Sequence, residues 1–280
     1  MQFRKLTQPI ERSGIGLHSG RSFCLKIEPS EEALSIEVEG TCLPISKLIM
    51  QGAGRGSDLI FPDGKRVRTC EHVLSALAGL GVWRAKLNVT PSTEGSPLEM
   101  PGLDGCSLDL CGEIMEKSAP VECEKLLPFA LKYPVYIGDN VRFVVALPSS
   151  FFHVTYVIDY NAAPVGTQIF DYSDRGATDY LKEIAPSRTF VMRSDVDALR
   201  SSGLALGGSI DNAILVSDDH VETTGGLRFP DEFVRHKVLD LLGDLACLGR
   251  PLLAHVVAVR AGHVQHLQLV ERLRALLQLN

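Results

Sequence analysis

The stretch DEFVRHKVLDLLGDLACLG, residues 231–249, limits what this chain can fold into more than any other. It opens acidic and then places Phe233, Val234, Val238, Leu239, Leu242, Leu245 and Ala246 at helical spacing, the pattern of an amphipathic helix with a face to bury. Along the same segment His236, Asp240 and Asp244 recur every four residues, so they stack on one side of the helix. Any fold must therefore bring an apolar face to a core and also give an imidazole and two carboxylates a use beside it.

The rest of the chain can supply that core. It has 280 residues, 45% of them hydrophobic and 22% charged, which fits one large or two modest globular domains. A net charge of -6 argues against a nucleic-acid partner for the protein as a whole. No apolar run approaches the roughly 18–20 residues that span a bilayer, so no integral membrane segment is expected. The first residues, MQFRKLTQPIERSGIG, carry no apolar signal-peptide core. Seven cysteines, an odd number with no CxxC pair, fit reduced thiols in a cytoplasmic protein better than a disulfide framework or a cysteine zinc site. A monomer is the default expectation.

Read for organisation, the chain runs strands first and helices later, twice. SFCLKIEP and LSIEVEG are strand-like, SDLIFPDGKRVRT is a hairpin turning at Pro62-Asp63-Gly64, and a helix over about 69–80 is capped by Thr69. The strand AKLNVT and the helix SLDLCGEIMEKSA close the first half. The polar segment EKSAPVECEK, residues 116–125, reads as a linker. FALKYPVYIGD, VRFVVALPSS and FFHVTYVIDY restart with strands. A short helix at SDVDALRSSG, the strand NAILVSD, the 231–249 helix, the strand LAHVVAVRAG and a final helix QLVERLRALLQLN complete the second. The fold class is α+β: two domains, 1–119 and 126–280, each a β-sheet layered against helices. No sequence repeat is visible, so any likeness between the halves would be structural only.

His236 and Asp240 lie one turn apart, and imidazole nitrogen and carboxylate oxygen can both ligate zinc. HxxxD alone is as well explained by a hydrogen-bonded pair on a solvated face, and a third ligand must come from elsewhere. His72 stands out among the other histidines because it sits in the first turn of a helix directly after Glu71. A carboxylate beside a metal-bound site can take a proton from attacking water, although an acidic residue at a helix N-terminus is common without any such role. His263, in VRAGHVQH at a strand-to-loop exit, could be oriented and kept charged by Asp244; an exposed loop histidine and a surface carboxylate are the plain alternative. GLALGGS, residues 203–209, lacks the phosphate-loop lysine and is read as a tight turn.

Taken in order, GIGLHSG (14–20), RVRTCEHVLSALAGLGV (66–82), RTF (188–190), GLALGGSIDNAILV (203–216), LRFPDEFVRHKVLDLLGDL (227–245) and AGH (261–263) resemble the zinc-dependent UDP-3-O-acyl-N-acetylglucosamine deacetylases, the committed enzymes of lipid A synthesis. The resemblance spans nearly the whole chain. It implies His72, His236 and Asp240 as zinc ligands, Glu71 as general base, His263 as general acid paired with Asp244, and Thr189 as a stabiliser of the oxyanion. It also implies Phe190 and Lys237 near the UDP end of the substrate, His18 near the mouth of the site, and an active site between two domains. Three places depart from the family pattern: Trp83-Arg84 where an Asp-Asn pair is usual, the turn LEMPGLDGCS, and VMRSDVDAL with Val191 where glycine is common. The last bears on the acyl-chain tunnel and so on chain-length preference, more than on the zinc chemistry. A zinc amidohydrolase acting on another N-acyl sugar, and a catalytically silent UDP-sugar-binding protein, are the competing expectations.

Overall fold

A computed structural model of the chain describes residues 2–53, 55–93, 97–122 and 126–278. Two mixed sheets dominate, and they share one strand order. In the first, Ile10–Ile15, Ser22–Pro29, Ala85–Pro91, Ser35–Val38 and Thr41–Pro44 lie side by side in that order. In the second the order is Val135–Gly138, Phe143–Pro148, Leu252–Val259, His153–Asp159 and Thr167–Ser173, with the short Phe129–Ala130 also pairing with Leu252–Val259. Along both five-strand paths every neighbour is antiparallel except the third and fourth, which are parallel. The halves are thus structural counterparts with no visible sequence repeat.

The helices follow the same duplication. Helix α1 (Glu71–Gly79) precedes the central strand of the first sheet and α2 (Leu108–Glu116) follows it. In the second half come α3 (Ala177–Glu183) and α4 (Arg193–Ser201); then α5 (Glu232–Ala246) precedes the central strand and α6 (His263–Gln278) follows it. Each sheet alternates buried and open residues along its strands, as Ser22–Pro29 and Leu252–Val259 do, so one face turns inward. The apolar stripes of α1, α2, α5 and α6 fill the space between and join one continuous core. The chain is accordingly α+β. No described helix is long and apolar enough to cross a membrane.

Each half carries an additional small sheet, placed mostly before its inner helix, with Leu98–Glu99 of the first joining from after it. In the first, Leu98–Glu99, Arg66–Arg68, Gly56–Ile60 and Ile49–Ala53 form a four-stranded sheet. In the second, Phe190–Met192, Ile214–Val216 and Val221–Glu222 form a three-stranded one. The hairpin turn at Pro62-Asp63-Gly64 is present, closed by Gly64 N–H on the Phe61 carbonyl at 2.9 Å with Gly64 at φ +87°. α1 and α5 are the pair that packs across the middle of the molecule. Gly243 makes their close approach possible: a Cβ there would sit 2.0 Å from the Glu71 carbonyl oxygen.

The structure corrects four sequence expectations. Thr69 does not cap α1. It adopts φ +56° and turns its hydroxyl to Glu99 at 3.3 Å, and the helix starts at Glu71. The segment 116–125 is not simply a linker, because Ser118–Val121 is a strand paired antiparallel with Phe3–Leu6. Arg4 fastens it through Ser118 Oγ and the Ser118 carbonyl, both at 2.8 Å; residues 123–125 lie outside the described part. FALKYPVYIGD is two strands, broken around Pro134, which cannot donate to a ladder. Finally, the last helix begins at His263, so that histidine belongs to a helix start and not to a loop.

In an exposed helix Gly→Ala stabilises by up to about 1 kcal/mol. Gly243→Ala is expected to do the opposite and cost about 1–3 kcal/mol by forcing α1 off α5. A urea midpoint that stays put or rises would contradict this packing.

Candidate active site

The first turn of α1 meets the middle of α5. The ligating atoms of His72, His236 and Asp240 lie within 4.8 Å of one another, and all three side chains are buried. His236 Nε2 is 3.2 Å from Asp240 Oδ1 and His72 Nε2 is 3.8 Å from the same oxygen. The His236 Nδ1–H donates to the Ser187 carbonyl at 3.0 Å, which leaves Nε2 of the neutral ring as a lone pair facing inward. Burial lowers the pKa of His236, and burial with the neighbouring His236 takes His72 down to about 3, so both rings are neutral. Burial resists ionisation of Asp240, but His236 and Lys237 hold it well below the usual carboxylate range. Asp240 Oδ1 and His72 Nδ1 are buried without a hydrogen-bond partner. Because the Ser187 carbonyl takes the His236 proton, its Nε2 brings only a lone pair, and the Asp240 Oδ1 beside it stays unsatisfied in a buried place unless a cation joins the group. Two imidazole nitrogens and a carboxylate oxygen are a fitting donor set for a divalent metal.

Glu71 is not a member of that group. Its Oε2 accepts the Ser57 N–H at 2.9 Å, and Oε1 crowds Gly56, where a Cβ would come within 2.9 Å. The helix N-terminus favours its charge, but burial dominates and lifts the carboxyl to about 7, against the pull of His263. His263 enters from α6. Its Nδ1–H donates to Asp244 Oδ2 at 2.8 Å, and its Nε2 stands 3.8 Å from Asp240 Oδ2, on the metal side. Burial opposes the imidazolium, yet Asp244 and Asp240 more than offset it and raise the pKa to about 9. Asp244 also takes the Ser57 hydroxyl and a bond from His266, and these partners with His263 overcome its burial and keep it ionised.

A cavity of about 180 Å³ adjoins this centre, walled mainly by apolar side chains including Leu17, Phe190, Val191, Leu199 and Leu215, with Thr189 and His18 also on its wall. Phe190 packs edge-on to His236 at 6.5 Å between ring centres. His18 is buried with Nε2 unpartnered, and its backbone N–H is held by Glu99 at 2.7 Å. The turn at 203–209 closes on this loop, with Leu206 and Gly207 N–H groups on the carbonyls of His18 and Leu17 at 3.0 and 3.1 Å. Lys237 sits on Asp240, with Nζ 2.6 Å from Oδ2.

Several residues that build the site were not singled out in the sequence. Ser57 touches Glu71, Asp244 and His263 at once, from a hairpin strand whose sequence carries no sign of it. Ser187 acts through its carbonyl, which no residue type reveals. Arg188, buried beside it, bonds Glu232 at 2.9 Å, Thr223 at 2.7 Å and the Gly226 carbonyl at 2.6 Å, and so fixes 187–190 against the loop before α5. The HxxH spacing of His263 and His266 was a readable signal once His263 is placed in a helix.

A residue group able to hold a metal, with a carboxylate on one side and a carboxylate-backed imidazole on the other, set between two sheet-and-helix layers, is the arrangement found in metal-dependent hydrolases. Comparison with known proteins agrees. The family model "LpxC: UDP-3-O-acyl N-acetylglycosamine deacetylase" matches residues 4–275, and the chain belongs to that family. The UDP-3-O-acyl-N-acetylglucosamine deacetylase of Chlamydia muridarum is 34% identical over 284 residues, covering 98% of this chain and 96% of that protein. Proteins of the same name from Syntrophotalea carbinolica, 34% identical over 96% of this chain and 87% of its own length, and from Trichormus variabilis, 35% identical over 99% of each, match as well.

His236→Ala and Asp240→Asn are expected to lose bound divalent metal on dialysis, whereas Glu71→Ala keeps about one equivalent. Metal analysis of the three proteins decides it, and loss from Glu71→Ala would make Glu71 a ligand. Glu232→Gln leaves the Arg188 guanidinium buried without its counter-charge and is expected to cost about 3–5 kcal/mol in a urea titration.

Proposed function

We propose that this chain hydrolyses the acetamide of UDP-3-O-acyl-N-acetylglucosamine to UDP-3-O-acyl-glucosamine and acetate, the committed step of lipid A synthesis, with zinc at His72, His236 and Asp240. The observation that carries the reading is the convergence of the three ligand-type atoms of His72, His236 and Asp240 between Glu71 and the Asp244-backed His263. A zinc ion bound there would polarise the acetamide carbonyl and acidify water. Glu71, buried and poised near neutrality, takes the proton of the attacking water. As the water oxygen bonds to the carbonyl carbon, the Thr189 hydroxyl steadies the charge on the carbonyl oxygen. His263 then gives a proton to the nitrogen as the C–N bond breaks, and the bonding electrons leave with the amine. Asp244 keeps that imidazole charged and turned toward the site.

The division of labour follows the two halves: 1–119 brings the base and one ligand, 126–280 two ligands and the acid. The cavity beside Thr189 and Phe190 receives the acyl chain, its walls being mainly apolar. Phe190, which the resemblance put near the UDP end, lines this cavity and is assigned with His18 to the acyl chain instead, while Lys237 lends a cation beside Asp240 toward the nucleotide end. Every group used comes from one chain, so a monomer suffices, and six free thiols among the described residues support work in the reducing cytoplasm.

Zinc-loaded protein is expected to release acetate from the UDP-linked substrate. Glu71→Ala should retain metal while turnover falls by about 10²–10⁴-fold. No acetate from the wild-type protein would overturn the reading, and equal rates with and without the 3-O-acyl chain would move it to a different N-acyl sugar.

A further inference from the structure

His266 stands behind the acid and is not used in the chemistry above. It is fully buried in the first turn of α6, three residues after His263, and its Nδ1 lies 2.8 Å from the same Asp244 oxygen that holds His263. Its other nitrogen, Nε2, lies 3.0 Å from the Tyr156 hydroxyl, and that hydroxyl reaches the Ala261 carbonyl at 2.8 Å. Tyr156 is itself buried on the inner face of the second sheet. One chain of contacts thus runs from the sheet through Tyr156 and His266 to Asp244, and a branch of it ties down the backbone two residues before His263.

Asp244, His263 and His266 also bring three ligand-type atoms together. Here, unlike at His72, His236 and Asp240, each imidazole meets the carboxylate at hydrogen-bond length, and no atom of the three is left without a partner. Protons already satisfy this cluster, so it needs no metal. Its geometry serves orientation. A carboxylate held only by Ser57 and His263 could rotate about its own bonds, and the imidazole it directs would swing with it. A third donor, on the same Oδ2 that His263 uses, restricts that freedom.

We infer that His266, seated by Tyr156, is a positioning residue for the deacetylation: it fixes Asp244 in the orientation that aims His263 at the leaving nitrogen. The inference rests on the function proposed above, and its effect passes through Asp244 alone.

The test is a mutant cycle on the zinc-loaded protein, reading acetate release, KM and metal content. His266→Phe fills the space but cannot donate, and is expected to lower kcat by about 10–100-fold with KM and zinc content unchanged. His266→Asn keeps a donor toward Asp244 and is expected to restore most of the rate. In an Asp244→Asn background His266→Phe should cost nothing more, because the group through which it acts is already gone. Wild-type kcat in His266→Phe, the same fold-loss in the Asp244→Asn background, or parallel loss of zinc and rise of KM would each overturn the inference. Should His266→Phe fail to fold, Tyr156→Phe carries the cycle: a smaller loss of kcat that vanishes with Asp244→Asn supports the inference, and one that persists sinks it. A wild-type protein that releases no acetate would instead refute the functional reading itself.

Discussion

Where α1 crosses α5, two neutral imidazoles and a carboxylate bring ligand-type atoms together in a buried space and leave Asp240 Oδ1 unpartnered. The fold spends several devices on maintaining that arrangement. Gly243 lets the two helices approach until its Cα lies against the Glu71 backbone. The Ser187 carbonyl fixes the tautomer of His236, and the buried Arg188–Glu232 pair fixes Ser187. A cation would stabilise this cluster, and on the proposed function it makes the same three side chains the centre of a hydrolase.

The neighbouring titratable groups show how one small volume can hold two groups in different proton states, as the proposed base and acid require. Burial alone would neutralise Glu71 and His263. For Glu71 it prevails and lifts the carboxyl to about 7; for His263, Asp244 and Asp240 prevail and raise the imidazole to about 9. The environments thus push the two groups into complementary proton states across neutral pH. The duplicated architecture supplies each from a different half, Glu71 at the start of α1 and His263 at the start of α6. On the proposed function, activity depends on how the halves are packed together, and one continuous core joins their helices and sheets.

Much of the fold was legible in the sequence because α5 is long and strongly patterned: its apolar spacing gave the helix, and its four-residue polar period put His236, Asp240 and Asp244 on one side without deciding their use. Ordered motifs carried His72, Glu71, Thr189 and His263. Other features were hidden for physical reasons. Thr69 has the composition of a cap, but its positive φ and its bond to Glu99 are set by tertiary contacts. Ser118–Val121 reads as a polar linker because its strand partner lies more than a hundred residues away in sequence, at Phe3–Leu6. Ser187 works through a backbone carbonyl, and Ser57 is one serine among many until the hairpin brings it between Glu71 and Asp244. The equal strand order of the two sheets leaves no trace in residue identity, since alternating apolar residues of many kinds satisfy the same pattern.

X-ray absorption at the zinc edge, measured on protein loaded with one equivalent, tests the centre most directly. The account requires a first shell of two imidazole nitrogens at about 2.0–2.1 Å and carboxylate or water oxygens, with no sulfur, reduced to one imidazole in His72→Ala. A shell containing sulfur, or one that keeps both imidazoles after that substitution, would mean the ion is held elsewhere and would contradict it.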